Sequence, residues 1–268
     1  MKKKFKLGVI GAGFMSTAIV SGVISSSIID CRDIIVSDIS DCALEKISKK
    51  GVSITLDAKY LADNSEFVLF AVKPQNIQSV LESIKGSSCV KFISIMAGVK
   101  KSRIKSALGD VFVARCMPNT PCSIGYGAVG LDVSDFTNDD DIKFINDLLS
   151  SFSSVVLVDE EMMGVVTGVS GSSPAYFYLF LKTIIDAGVK RGLSYNDAKT
   201  LAVNTMIGAG KMVVQNQDKS LDELIAAVCS KGGTTIEAVK VFEQENLNII
   251  TDKAIDACIK RSIELENL

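Results

Sequence analysis

The sequence predicts an α/β domain built on a doubly wound parallel sheet, followed by an all-α domain. Three observations lead to this fold class. Short apolar runs alternate with amphipathic segments as far as Asp159, a glycine turn follows the first run, and helical periodicity dominates from Glu160 onwards. A chain of 268 residues with 47% hydrophobic residues can bury two cores. We therefore expect domains at 1–159 and 160–268.

Composition limits the classes of function. A net charge of −2 argues against a nucleic-acid partner, because such binding depends on clustered Lys and Arg. The chain has no histidine, so we expect neither a metal site nor Ser-His chemistry. Its seven cysteines are scattered and never spaced as C-x-x-C, which predicts free thiols. Because no apolar run reaches the length of a membrane span or a signal peptide, we expect a cytoplasmic protein without a membrane partner.

The first element is an apolar strand, Lys6 to Ile10, that leads through a glycine turn into an apolar-periodic helix. The turn nearly fits the dinucleotide fingerprint G-x-G-x-x-G/A, in which the glycines make the turn, admit the pyrophosphate and pack helix on strand. Ser16 replaces the third glycine and is small enough to keep that packing. An ordinary tight turn is the alternative, but the position between strand and helix favours a Rossmann-type cofactor site. The predicted cofactor-binding residues here are Gly11, Ala12, Gly13, Phe14 and Met15.

The second strand, Asp33 to Ser37, ends about 20 residues beyond the turn, where the fingerprint expects an acidic residue. The Asp38 carboxylate can accept hydrogen bonds from the adenosine ribose and would repel a 2′-phosphate, which favours NADH over NADPH. Ser37 and Ser40 could instead donate to a phosphate, and Asp38 or Ser40 could simply cap the next helix. We therefore predict NAD(P)H as the cofactor, with Ser37 and Asp38 among its contacts.

The alternation of strands and helices then continues. Further strands are predicted at Val52 to Thr55, Phe67 to Val72, Lys91 to Ile95, Val111 to Arg115 and Val155 to Val158, with helices from about Gln75, around Arg103 to Leu108, and after Asn138. The acidic run that follows Asn138 lacks the spacing of a calcium loop and is followed by apolar residues at helical intervals, which predicts a helix start.

Three of the predicted strand ends carry distinctive loops, and three of the four prolines lie in them. In open α/β sheets ligands bind at the carboxyl ends of the strands, so these loops are candidates for the cofactor site. For any single one of these loops the alternative is that its proline only ends a helix or marks a loop. The candidate cofactor-binding residues in these loops are Ala71, Val72, Lys73, Pro74, Ala97, Gly98 and Asn119.

The helical region has small residues and one polar stripe on otherwise apolar faces. Ser173-Pro174 predicts an N-cap with a first-turn proline, and the helix to Lys190 is apolar except for Lys182, Asp186 and Lys190. Small residues in the next helix permit close helix contact; they are Ala202, Gly208, Ala209 and Gly210. Pairing with a second copy buries more of these faces than one chain does, so we expect a homodimer built through this domain.

The most distinctive stretch runs from Val228 to Glu243, where a glycine pair and two threonines open an amphipathic helix. Gly232 and Gly233 leave no side chain above the first N–H groups, and Thr234 or Thr235 is expected to cap the helix. The positive end of the helix dipole makes this a candidate site for a small anion. An ordinary capped helix after a glycine turn is the alternative.

This stretch resembles the signature of the pyrroline-5-carboxylate reductases position by position, apart from Lys231, where that family usually has proline. The resemblance covers nearly the whole chain and implies reduction of 1-pyrroline-5-carboxylate to L-proline with NAD(P)H, the last step of proline biosynthesis. It implies contacts of Lys73 and Asn119 with the nicotinamide ribose and carboxamide. It also implies an all-α dimerisation domain whose helices interlock in a homodimer, and the family includes larger rings of dimers.

The substrate's chemistry then assigns roles in the signature. Its carboxylate is expected on backbone N–H groups around Gly233, Thr234 and Thr235, and the Thr235 hydroxyl on the ring nitrogen, which makes Thr235 the catalytic residue. The predicted substrate-binding residues are Ser230, Gly232, Gly233, Thr234 and Thr235. With no histidine and no dedicated general acid in view, the proton on the ring nitrogen is expected from solvent.

Two alternative functions remain at this stage. A 3-hydroxyacid dehydrogenase would need G-x-x-G-x-G-x-x-x-K-x-x-x-N, but the third glycine is Ser173 and the lysine and asparagine positions hold Phe177 and Leu181. A catalytically silent dinucleotide sensor could use the helical half only to dimerise. The motif from Gly232 to Thr235 argues against the sensor, because a sensor needs no second anion site.

Overall fold

The computed structural model describes residues 4–266, which contain eight strands and twelve α-helices. The strands are β1 (Phe5–Ile10), β2 (Ile34–Ser37), β3 (Ser53–Thr55), β4 (Ser65–Phe70), β5 (Lys91–Ser94), β6 (Phe112–Pro118), β7 (Gly127–Asp132) and β8 (Ser153–Leu157). The helices are α1 (Phe14–Ser25), α2 (Asp41–Ser48), α3 (Ala58–Asn64), α4 (Ile77–Ser83), α5 (Lys101–Leu108), α6 (Asp139–Ser150), α7 (Met163–Val166), α8 (Ser173–Lys190), α9 (Tyr195–Gln215), α10 (Leu221–Val228), α11 (Thr234–Gln244) and α12 (Leu247–Glu266). A π-helical turn, Thr167–Gly171, lies between α7 and α8.

The strands form one sheet in the order β3-β2-β1-β4-β5-β6-β7-β8. Strands β1 to β6 pair in parallel, and the winding direction reverses between β1 and β4. Successive crossovers lead away from this point in opposite directions, which leaves a crevice at the carboxyl ends of β1 and β4. Open α/β sheets bind their ligands in such a crevice. The predicted doubly wound sheet is confirmed, and the glycine turn after β1 lies at its switch point.

Strand β7 is the main difference from the sequence prediction, which placed no strand there. It pairs antiparallel with β6, with Cys116 opposite Leu131, while β8 follows β7 in parallel. Its sequence, GAVGLD, contains two glycines, which have low strand propensity, so local pattern did not reveal it. Pairing with β6 and β8 specifies this strand instead. The sheet is consequently mixed at this edge.

Apolar side chains cover both faces of the sheet. Alternate strand residues point to opposite sides, so Leu69 lies in one core cluster and Phe70 in the other. The first cluster includes residues of α1, α2 and α6, and the second includes residues of α3, α4 and α5. Helix α6 begins at Asp139, and the Asn138 side chain accepts hydrogen bonds from its first turn, which confirms the predicted helix start.

The described chain groups into two compact units, residues 4–172 with 257–266, and residues 173–256. The first unit contains the sheet. The predicted boundary after Asp159 concerns where the strand-helix alternation ends, and it stays a prediction. Among the described residues, no helix combines the length and apolarity needed to cross a membrane.

The second unit has little core of its own. Within residues 173–256 only Ser173, Ile185 and Ala198 are buried, while many large apolar side chains are exposed. A Cβ added at Gly208 or Gly210 would meet no atom within 4 Å, so these glycines make no close helix contact inside the chain. Exposed apolar surface of this extent is typical of a protein–protein interface.

Candidate cofactor and substrate sites

The glycine turn after β1 is held between the ends of two neighbouring strands. The Gly11 N–H donates to the Ser37 carbonyl oxygen at 2.7 Å, and the Ala71 N–H donates to the Ile10 carbonyl oxygen at 2.9 Å. Gly11 has φ +107°, and a Cβ there would lie 2.6 Å from the Ala71 carbonyl oxygen. This position therefore requires glycine. The turn brings the predicted residues Gly11, Ser37 and Ala71 together.

The N-terminus of α1 is open above this turn. Gly13 is the N-cap, no side chain caps the helix, and a Cβ at Gly13 would meet no atom within 4 Å. The helix dipole and its free N–H groups suit a pyrophosphate there. Ser16 is fully buried, and its hydroxyl donates to the Gly13 carbonyl oxygen at 2.9 Å, so serine fulfils the packing role of the third glycine. Phe14 is 66% exposed beside this opening.

Asp38 is fixed beside the turn by two backbone donors. Its Oδ2 accepts from the Ala12 N–H at 2.7 Å, and its Oδ1 accepts from the Ser40 N–H at 2.9 Å. Ser40, not Asp38, caps α2, because its hydroxyl accepts from the Ala43 N–H. Ser37 is only 2% exposed and its carbonyl bonds Gly11, so its hydroxyl is not at the surface. The half-buried Asp38 carboxylate is thus the charged group at this strand end.

A cavity of about 630 Å³ adjoins the start of α1 in the first unit. Gly13 and Phe14 line one side, and Ser40 and Lys46 of the α2 segment line another. Sequence reasoning did not single out Lys46. Its signal was weak, because a lysine in the last turn of a helix is equally explained by the helix dipole.

The remaining cofactor loops follow β4 and β5. Lys73 directly follows Val72 and is exposed. It is the N-cap of a short 3-10 turn that begins at Pro74. After β5, Ala97 is half-buried, and Gly98 is buried with φ +69°. The Ile95 N–H donates to the Phe70 carbonyl oxygen at 3.2 Å, which aligns the ends of β4 and β5. Both loops therefore start from the same edge of the sheet.

Asn119, expected to contact the nicotinamide, makes hydrogen bonds inside the protein. Its Oδ1 accepts from the Ala128 N–H at 3.0 Å, and its Nδ2 lies 3.4 Å from both the carbonyl and the hydroxyl oxygen of Ser170. Asn119 thus joins the β6–β7 connection to the π-helical turn. Burial raises the pKa of the neighbouring Cys122 thiol, which keeps it protonated and unreactive. Sequence reasoning missed Ser170, whose role depends on a residue 51 positions earlier in the chain.

The substrate segment lies in the second unit, between α10 and α11. Gly232 has φ +72°, and the Gly233 N–H donates to the Ser230 carbonyl oxygen at 2.9 Å. A Cβ at Gly233 would lie 2.4 Å from the Ser230 hydroxyl oxygen, so the glycine allows the serine to approach. These contacts close a tight turn that brings Ser230 to the start of α11.

The expected threonine cap of α11 is wrong. Gly233 is the N-cap, and no side chain caps the helix. Thr234 and Thr235 are instead the first two helical residues, Thr234 exposed and Thr235 half-buried. Their hydroxyls do not serve as the cap because the turn places glycine at that position. The first N–H groups of α11 thus lack side-chain acceptors, which leaves an anion-binding helix start.

Comparison with known proteins decides the family. Residues 160–265 match the family described as pyrroline-5-carboxylate reductase dimerisation, and residues 6–98 match the one described as NADP oxidoreductase, coenzyme F420-dependent. The chain is 36% identical over 266 residues to the pyrroline-5-carboxylate reductase of Haemophilus influenzae, covering 97% of each chain. It belongs to the pyrroline-5-carboxylate reductase family. The Staphylococcus aureus reductase is 35% identical over 270 residues, covering 98% of each chain.

Solved reductase structures share the whole fold. The pyrroline-5-carboxylate reductase of Coxiella burnetii matches with a TM-score of 0.91 and 32% identity, covering 99% of both chains. The pyrroline carboxylate reductase of Plasmodium falciparum, a structure with NADP bound, matches with a TM-score of 0.86 and 29% identity, covering 99% of this chain and 100% of that one. The predicted α/β domain followed by an all-α dimerisation region is confirmed.

Proposed function

We propose that this reductase converts 1-pyrroline-5-carboxylate to L-proline with NAD(P)H. The observation that carries the proposal is the start of α11, which no side chain caps. Gly232 and Gly233 leave its first N–H groups uncovered, within the stretch that resembles the family signature. Such a helix start binds a carboxylate through backbone donors and the dipole. Neither a dehydrogenase acting on hydroxyacids nor a sensor accounts for a second anion site in this segment.

The residues of α11 bind and orient the substrate in this proposal. The carboxylate accepts from the N–H groups of Thr234 and Thr235, because the Gly233 N–H, also expected to bind it, donates to the Ser230 carbonyl oxygen instead. The Thr235 hydroxyl hydrogen-bonds the ring nitrogen. Ser230 keeps the turn in shape, because its carbonyl oxygen accepts from the Gly233 N–H at 2.9 Å. Fixing the ring in this way restricts its rotation before reaction and lowers the barrier by several kcal/mol.

The residues of the first unit hold the cofactor in this proposal. The pyrophosphate lies at the open N-terminus of α1 above Gly13, where no side chain occupies the space, and Asp38 binds the adenosine ribose. Lys73, Ala97 and Asn119 line the nicotinamide end. The bound nicotinamide supplies the hydride that reduces the C=N bond. Protonation of the ring nitrogen comes from solvent, because the chain has no histidine.

Mixing the protein with chemically prepared pyrroline-5-carboxylate and either NADH or NADPH tests this function. Loss of absorbance of the reduced nicotinamide, with proline formed in equal amount, is the expected result. If both cofactors bind and neither is oxidised, the sensor hypothesis replaces the reductase. Oxidation with a 3-oxoacid but not with the imine would favour the dehydrogenase.

Replacing Asp38 by asparagine is expected to shift cofactor preference towards NADPH. The amide keeps an acceptor for the Ala12 N–H, which the carboxylate bonds at 2.7 Å, and removes the negative charge that repels a 2′-phosphate. Like charges about 4 Å apart near a protein surface repel by about 1–4 kcal/mol, so the ratio of kcat/KM for NADPH over NADH should rise about tenfold. Asp33, which is exposed and precedes β2 at the strand end opposite Ser37, supplies the matched D33N control. An unchanged ratio in D38N would contradict this role for Asp38.

We propose a homodimer formed through the helical region, with rings of dimers as a further level of assembly. The matched dimerisation family and the exposed apolar side chains of residues 173–256 support the dimer. We also propose a cytoplasmic location, since all seven cysteines are free thiols, as is usual in a reducing compartment.

A further inference from the structure

The loop after β5, residues 95–100, contains the proposed cofactor residues Ala97 and Gly98 and leads into α5. Gly98 is buried with φ +69°, and a Cβ there would lie 2.9 Å from the Leu265 Cβ and 3.2 Å from the Leu265 carbonyl carbon. The last turn of α12 therefore lies directly on this loop. The end of the chain, at position 265, thus covers a loop near position 98. Both the backbone and the side chain of Leu265 make this contact.

Glu266 fixes that turn to the sheet and to the end of the loop. Its Oε1 lies 2.6 Å from Nη2 of Arg115, and its Oε2 lies 3.4 Å from Nζ of Lys100, the last residue of the loop. The Glu266 side chain is only 9% exposed and that of Arg115 only 4%. Ion pairs this buried are screened little by solvent. Removing one partner would leave the other charge unpaired and would destabilise the contacts around it.

Arg115 is well placed to transmit this constraint. It stands in β6 opposite Ser94, the last residue of β5 before the loop. Its Nη1 lies 3.2 Å from Oε1 of Glu160, and the same oxygen accepts from the Lys101 N–H at 2.7 Å, where α5 begins. One buried guanidinium thus connects two carboxylates, one holding the start of α5 and one holding the end of α12.

We propose that Glu266 is a positioning residue for the cofactor. Together with Arg115 and Lys100 it holds the end of α12 against Gly98, and so keeps the loop of Ala97 and Gly98 in the shape that binds the nicotinamide end of NAD(P)H. Glu266 contacts neither substrate nor cofactor in this role. The proposal rests on the proposed cofactor site only through this loop, and it is independent of which imine, if any, the protein reduces.

The test is cofactor binding by E266Q, with E264Q as the matched control. Glu264 lies on the same helix, pairs with Arg261 at 2.8 Å and is 47% exposed, so E264Q makes the same change of charge on a side chain that faces solvent. Direct titration by the fluorescence of bound NADH and NADPH is expected to give a Kd about tenfold higher for E266Q and an unchanged Kd for E264Q. A tenfold change is the effect of about 1.4 kcal/mol, which is small for a charged hydrogen bond.

Kinetics distinguish positioning from mere stability. At saturating cofactor, E266Q should keep the kcat and the imine KM of the unaltered protein, because the loop is restored once cofactor is bound. A purely structural role would lower the folded fraction, and hence the titration amplitude and Tm, while leaving the cofactor Kd unchanged. That result would overturn the proposal, as would a rise of the imine KM equal to the rise of the cofactor Kd.

A milder variant keeps the test decisive if E266Q folds poorly. Lys100 is 47% exposed, so K100M should fold normally while losing one of the two cations that hold Glu266. The expected result is a rise of roughly threefold in the cofactor Kd, in keeping with the small energies of half-exposed ion pairs. The titration needs no imine, so it decides this proposal even if the reductase assay fails. If E266Q folds poorly, an unchanged Kd in K100M would by itself exclude the positioning role.

Discussion

Thr235→Ala is expected to lower turnover of pyrroline-5-carboxylate about a hundredfold while leaving the Kd of NAD(P)H unchanged. The hydroxyl belongs to the first turn of α11, in the second unit, and does not cap that helix, so its loss removes a substrate contact and little stability. Removing one oriented hydrogen-bonding group from a site whose charge changes during the reaction typically costs about 10²–10³ in kcat. Steady-state kinetics with both cofactors, together with a cofactor titration, measure the two effects separately.

Two further variants locate the effect in the hydroxyl itself. Thr235→Ser keeps the hydroxyl and should recover most of the lost turnover. Thr251→Ala removes a threonine hydroxyl that donates to the Leu247 carbonyl oxygen on α12, outside the proposed site, and should leave kcat unchanged. Equal activity of Thr235→Ala and the unaltered protein would exclude Thr235 from the reaction.

Gly13→Leu is expected to weaken cofactor binding about a hundredfold without unfolding the protein. Gly13 has φ −77°, which any residue adopts, and a Cβ there meets no atom within 4 Å, so the side chain fits the free protein. It would occupy the space above the start of α1 in which the pyrophosphate is proposed to lie. Losing two charged hydrogen bonds of about 1.5 kcal/mol each corresponds to about a hundredfold in Kd. Titration with NADH and NADPH and a thermal melt without cofactor measure both properties.

Gly11→Ala provides the contrasting variant in the same turn. Its φ of +107° and the 2.6 Å approach of a Cβ to the Ala71 carbonyl oxygen should destabilise the fold by about 2 kcal/mol or more. Tm should therefore fall in Gly11→Ala and stay constant in Gly13→Leu. Loss of Tm in Gly13→Leu would show that Gly13 serves packing, and the pyrophosphate would need another site.

Structural features that depend only on residues close together in the chain were predictable from the sequence. The strand, glycine turn and helix around Gly11 and Gly13 depend on backbone freedom and short-range hydrogen bonds, which residue type at fixed spacing reveals. The same holds for Asn138, whose side chain caps the helix that follows it. The start of α11 was predicted as a helix opening, but its cap was assigned to threonine, because a difference of one residue at a helix end depends on φ and ψ and not on pattern.

The sequence by itself therefore determined the alternation of strands and helices around the glycine turn, the cofactor class and the family, because these depend on local patterns and on a signature within one short segment. Only the tertiary structure decided the antiparallel β7, whose partners specify it, and the hydrogen bonds that join Asn119 to Ser170. It also decided the pairing of Arg115 with Glu266 across 151 positions. Contacts between residues so far apart depend on how the chain folds back in space, and no local spacing encodes them.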